Sequence, residues 1–69
     1  MADEIARLAH ADRHIAVTKE FIGQQQQLIE RLAAKGHSVR DAESFLSALM
    51  NVLSAFEGHR LLILKRLQS

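Results

Sequence analysis

The chain is 69 residues long, 48% hydrophobic and 25% charged, with nine Lys+Arg against eight Asp+Glu and no cysteine, proline, tryptophan or tyrosine. It is long enough for one small domain, and below about 70 to 80 residues a single core rarely contributes more than roughly 3 to 5 kcal/mol without a disulfide, a metal or a partner subunit. The missing cysteine excludes the disulfide, and five cations against five anions up to Gly36, then four against three beyond it, leave no basic half to release counterions from nucleic acid.

At the start of the chain, Asp3 and Glu4 directly follow Met1, which is the wrong charge for a secretory signal, and the longest purely apolar run is Leu61 to Leu64. The expectation is a cytoplasmic chain with no membrane segment. Helix is the default backbone, because proline is absent and glycine occurs only at positions 23, 36 and 58. The break falls at Lys35-Gly36-His37-Ser38. Glycine there can take the left-handed position that closes a helix, with Arg31 and Lys35 in the last turn where the helix dipole favours cations. Ser38 reads as the N-cap of the next helix, with Asp41 and Glu43 at its positive end. The predicted elements are helix 1 over about 3–35, a turn at 36–38 and helix 2 over about 39–67.

Periodicity carries this reading further than propensity does. In helix 1, Leu8, Ile15, Ile22 and Ile29 recur every seven residues, with Ala11, Thr18, Gln25 and Leu32 at the companion positions and Phe21 and Leu28 widening the stripe. In helix 2, Ala42, Leu49, Phe56 and Ile63 form one row and Leu46, Leu53, Arg60 and Leu67 the other, with Phe45 and Val52 extending that face. A short turn between two helices of this length predicts an antiparallel hairpin about 45 Å long, at 1.5 Å rise per residue. Thr18 and Gln25 interrupt the apolar row of helix 1, as buried polar groups do where they fix register.

The two helices differ in their outer faces. Helix 1 is wet, with Arg13, Glu20, Gln24, Gln27, Glu30 and Arg31, whereas helix 2 carries no charge between Glu43 and Glu57. Opposite its apolar stripe stand Ser44, Ser47, Ala48, Asn51, Ser54 and Ala55, small residues that allow close approach of another backbone. A helix apolar on one side and small on the other reads as packed on both sides. The expected assembly is therefore a homodimer of hairpins, an all-α four-helix bundle, with a tetramer as a further step. Its expected interface is Phe45, Ser47, Ala48, Leu49, Asn51, Val52, Ser54, Ala55 and Phe56.

Folding the hairpin about residue 37 places His14 near His59 and Arg60 and gathers an open-end polar cluster of Asp12, His14, Glu57, His59 and Arg60. His10 and His14 lie four apart on one helix face, a spacing that can chelate a divalent ion, with His59 as a third ligand. These are weak metal candidates, because carboxylate-bridged bundles need inward Glu residues and a Glu-x-x-His pair, and Glu57 is two residues from His59. Capping of the wet end by these side chains is the preferred reading, so neither a metal nor another cofactor is expected. Nucleophilic catalysis finds no cysteine, and Ser44, Ser47 and Ser54 have no histidine at their level, so no enzyme is expected. The last turns, His59 to Leu67, are basic and amphipathic, but their apolar residues continue the core rows.

The sequence His14-Ile15-Ala16, then Gln26-Gln27-Leu28-Ile29-Glu30-Arg31-Leu32, Gly36-His37, Asp41-Ala42-Glu43, Leu46, Leu53 and His59-Arg60 with Ile63-Leu64 resembles a group of small uncharacterised proteins frequent in rhizobial and related alphaproteobacterial genomes. The resemblance covers about residues 10–67 and implies a helical hairpin of bacterial cytoplasmic origin, with no activity attached. In architecture alone the chain is also similar to the Rop plasmid regulator, a dimer of helical hairpins that binds paired RNA loops through polar, basic and aromatic residues on its outer faces. Here Phe45 and Phe56 are expected along the apolar rows, and shape alone does not carry function. The leading expectation is a homo-oligomeric structural or interaction protein serving some further macromolecule. A Rop-like RNA-binding regulator comes second, and a metal-binding helical bundle third.

Overall fold

The computed structural model describes residues 2–69. Two helices, α1 (Ala2–Ala34) and α2 (Arg40–Gln68), form an antiparallel hairpin, and the described residues contain no strand. The 33 residues of α1, at 1.5 Å each, account for most of the 53 Å long dimension, while the other two extents are only 14 and 12 Å. The radius of gyration is 16.0 Å, against about 11 Å for a compact chain of this length.

Gly36 makes the reversal. Its φ is +74°, in the left-handed region where a side chain is strained. Around it the last turn of α1 closes in a Schellman arrangement: His37 N–H donates to the Leu32 carbonyl at 2.9 Å and Gly36 N–H to the Ala33 carbonyl at 3.0 Å. The Lys35 N–H is shared between the Arg31 and Leu32 carbonyls, both at 3.2 Å. Carbonyls that would otherwise face only water at the helix end are thus bonded.

At the start of α2 the structure differs from the expected cap. Val39, not Ser38, is the N-cap residue; its carbonyl accepts the first helical bond from Glu43 N–H at 2.8 Å, and no side chain caps the helix. The Ser38 hydroxyl instead accepts a long 3.4 Å bond from Arg40 N–H. The reason lies in the apolar row: Val39 stands seven residues before Leu46 and is half-buried, and seating it against α1 turns Ser38 outward.

Burial follows the seven-residue rows. On α1 the half-buried or buried positions include Leu8, Ala11, Ile15, Thr18, Ile22, Gln25, Ile29 and Leu32; on α2 they include Ala42, Leu46, Leu49, Leu53, Phe56, Arg60, Ile63 and Leu67. These are the seam positions of a two-stranded antiparallel coil, whose helices touch along one narrow stripe. Among the described residues only Ala11, Thr18 and Ile63 are buried, and Ile63 alone completely so. Phe45, Val52 and Phe21, expected to widen the buried faces, are 55%, 43% and 51% exposed. Two helices bury only their facing rows, and a third element would be needed to cover these flanks.

The two polar interruptions of α1 behave differently. The Thr18 hydroxyl donates back to the His14 carbonyl at 2.7 Å, which satisfies it within its own helix. Gln25 reaches across: its side-chain amide donates to the Ala42 carbonyl at 2.9 Å. Of the two, Gln25 is therefore the residue that can fix register between the helices.

Candidate functional site

The polar residues expected at the open end do not form one cluster; the seam divides them between two edges of the hairpin. Asp12, Glu57 and Arg60 line a shallow groove on one edge, together with Ile15, Lys19 and Leu61. His10, His14 and His59 line a depression on the other, with Arg7, Ala11 and Phe56. The division follows from helix geometry. Asp12 and Lys19 are seven residues apart on one flank of the α1 seam, and Arg7 and His14 are seven apart on the opposite flank.

Arg60 occupies a seam position, where it is half-buried and its guanidinium meets Asp12. The Arg60 Nε donates to Asp12 Oδ1 at 2.5 Å, between side chains 38% and 53% exposed. An ion pair this open contributes about 0 to 1 kcal/mol. Arg60→Leu, which restores the apolar row, is therefore expected to leave stability unchanged or raise it by about 1 kcal/mol, as read from the urea midpoint with an unchanged slope.

On the other edge the His14 ring lies 5.2 Å from the Phe56 ring, tilted by 36°. His14 thus meets Phe56, with His59 in the same depression as expected, while Arg60 turns to the other edge and meets Asp12. The register expected from a fold about residue 37 is displaced, because the chain reverses at Gly36 and residues after it already run back along α1. The three histidines share a depression, yet among the described residues no group of three or more His, Asp or Glu side chains is close enough to hold a metal ion.

One polar group was not singled out from the sequence. Glu4 sits at the open end of the seam, with Oε1 accepting from Arg7 Nη1 at 3.0 Å and lying 3.9 Å from Arg66 Nη1 across the hairpin. Its Oε2 is buried without a hydrogen-bond partner among the described residues. The signal was available: Glu4 stands seven residues before Ala11, so it begins the row that continues through Thr18, Gln25 and Leu32.

The residues expected to bind a second copy are also divided. Leu49 and Phe56 lie half-buried in the seam with α1, whereas Phe45, Ser47, Ala48, Asn51, Val52, Ser54 and Ala55 are exposed. Their exposure leaves the charge-free stretch of α2 uncovered within one chain. No helix among the described residues is long and apolar enough to cross a membrane. No family model, no curated protein and no solved structure matches the chain.

Proposed function

We propose that the protein is a non-enzymatic, homo-oligomeric structural or interaction protein of the cytoplasm, whose hairpins pair into a four-helix bundle and present a surface to a further macromolecule. The observation that carries this reading is the thin core: among the described residues Ala11, Thr18 and Ile63 are the only buried ones, while eight large hydrophobic side chains stand exposed. An isolated pair of helices with so little buried surface does not offset the entropy of ordering its backbone, and association is the general remedy for chains of this size. A two-fold dimer is the simplest closed assembly, and its pairing into a tetramer is a second step. The non-enzymatic part rests on residue chemistry, namely the lack of a cysteine nucleophile and serines that sit on helix faces away from histidine. The resemblance to hairpin proteins of rhizobial genomes agrees with a bacterial cytoplasmic origin and adds no activity.

Size exclusion with light scattering tests the assembly. At micromolar concentration the expected mass is twice the 7.8 kDa of the chain or a multiple of that, and a monomer would overturn the reading.

A Rop-like RNA-binding regulator is the second reading, favoured by one observation: Phe21 and Phe45 are both about half exposed rather than sheathed in the seam. Retention of a labelled RNA hairpin that weakens steeply with salt would promote it.

A further inference from the structure

The hairpin has two unlike edges, and one of them has the character of an interface. His14 and His59 line one depression, so the rows that continue from them at seven-residue spacing run along the same edge. From His14 that row proceeds to Phe21 and Leu28; from His59 it returns through Val52 to Phe45. Phe21, Phe45 and Val52 are each between two fifths and three fifths exposed, and Leu28 is half-buried. The same construction on the opposite edge gives Ile5, Asp12, Lys19 and Gln26 on α1 and Glu43, Met50, Glu57 and Leu64 on α2, where the apolar Ile5 and Met50 are separated by charged groups rather than contiguous.

We infer that a second copy of this chain docks on the edge carrying Phe21, Leu28, Phe45 and Val52, across a two-fold axis. The inference rests on the oligomeric reading above and adds where the copies meet, including a contribution from α1 that the charge pattern of α2 alone does not indicate. Two further observations name a second copy as the occupant. The first is area: the chain exposes 5245 Å² at 7.8 kDa, while a compact monomer of that mass exposes roughly 4400 Å². The excess of roughly 800 to 900 Å² belongs to the whole 53 Å rod, and it is enough for one ordinary stable interface, in which each partner buries ~800 Å². The second is shape. A two-fold contact requires one surface to complement itself, and this edge carries both parts: Phe45 and Val52 project from α2, while Ala48 and Ala55, three residues after each, are exposed and small. Large side chains of one copy can enter the gaps left by alanines of the other, as ridges enter grooves.

The alternative occupant, an RNA, fits less well. Single-stranded or looped RNA is held by cations interleaved with aromatics. On this edge the cations Arg7, Lys35 and Arg66 stand only at the ends of the rows, and the central stretch of Phe21, Leu28, Phe45 and Val52 has none interleaved with it.

The test uses the whole chain with Val52→Glu and, as its counterpart on the opposite edge, Met50→Glu, a residue 54% exposed. Light scattering at micromolar concentration is expected to show that Val52→Glu dissociates the oligomer at least tenfold more readily than wild type, while Met50→Glu keeps the wild-type mass. Because Val52→Glu can also unfold a chain that depends on assembly, single cysteines in this cysteine-free sequence give an independent measurement. After air oxidation, Ala48→Cys or Ala55→Cys is expected to yield at least tenfold more disulfide-linked dimer than Gln26→Cys. If wild type is oligomeric but Gln26→Cys cross-links and the alanine positions do not, the docking edge is wrong while the oligomeric reading stands. If wild type is monomeric, or binds an RNA hairpin as a monomer through Phe45, both fall.

Discussion

Ile63→Ala is expected to leave much of the protein unfolded at 25 °C, the largest effect of any single apolar truncation in the chain. Among the described residues Ile63 is the one side chain with no exposed surface. It faces the turn of α1 that carries Leu8 and Ala11, since Arg60 bonds Asp12 on one side of it and Arg66 approaches Glu4 on the other. Removing three carbons from a fully buried isoleucine costs about 2 to 5 kcal/mol through lost transfer energy and the cavity left behind. A single core in a chain of this size rarely supplies more than about 3 to 5 kcal/mol, so the loss is comparable with everything the seam contributes. The control is Leu61→Ala, two residues earlier and 56% exposed, which should change stability by no more than about 0.5 kcal/mol. Urea titrations followed by helical circular dichroism separate the two. Equal midpoints would mean that the layer around Ile63 is not where the hairpin is held.

How far the sequence discloses this arrangement depends on whether a feature is local. The rows Leu8, Ile15, Ile22, Ile29 and Ala42, Leu49, Phe56, Ile63 are legible because a seven-residue spacing on a helix fixes a face whatever lies opposite. The reversal at Gly36 is legible because only glycine takes a φ of +74° without strain. Register is less so. The position of His14 against Phe56 depends on how residues 35–39 leave the helical conformation, and a symmetric fold about residue 37 has no means of knowing that Val39 is drawn into the seam. The division of the polar cluster follows the same logic: Asp12 and His14 are two residues apart, and two residues on a helix turn a side chain through roughly 200°. A linear reading sees neighbours; the seam places them on opposite edges. The exposure of Phe45 and Val52 was out of reach for a different reason. A helical wheel gives the width of an apolar stripe, but how much of that width one partner helix covers is decided only when the hairpin closes.

That uncovered width leads to the second large effect, a melting temperature that depends on protein concentration. If the flank of Phe21, Phe45 and Val52 is covered by another copy, folding and association are one equilibrium, and dilution destabilises the folded form by mass action. A tenfold dilution changes the free energy of a dimer by about 1.4 kcal/mol. Unfolding two chains of 69 residues carries an entropy near 0.3 kcal/mol/K at the scale of about 2.1 cal/mol/K per residue. The midpoint should therefore fall by about 5 °C for every tenfold dilution, and by about 10 °C between 100 and 1 μM, followed as helix content in cells of different path length. The hairpin offers few interactions that would survive on their own: the Asp12–Arg60 pair is largely solvated, and the cross-helix bond from Gln25 to Ala42 is a single contact. Helix content and oligomeric mass should consequently be lost together. A midpoint independent of concentration, with helix retained at 1 μM, would mean that the seam from Glu4 to Leu67 is sufficient by itself and that the exposed edge is not needed for folding.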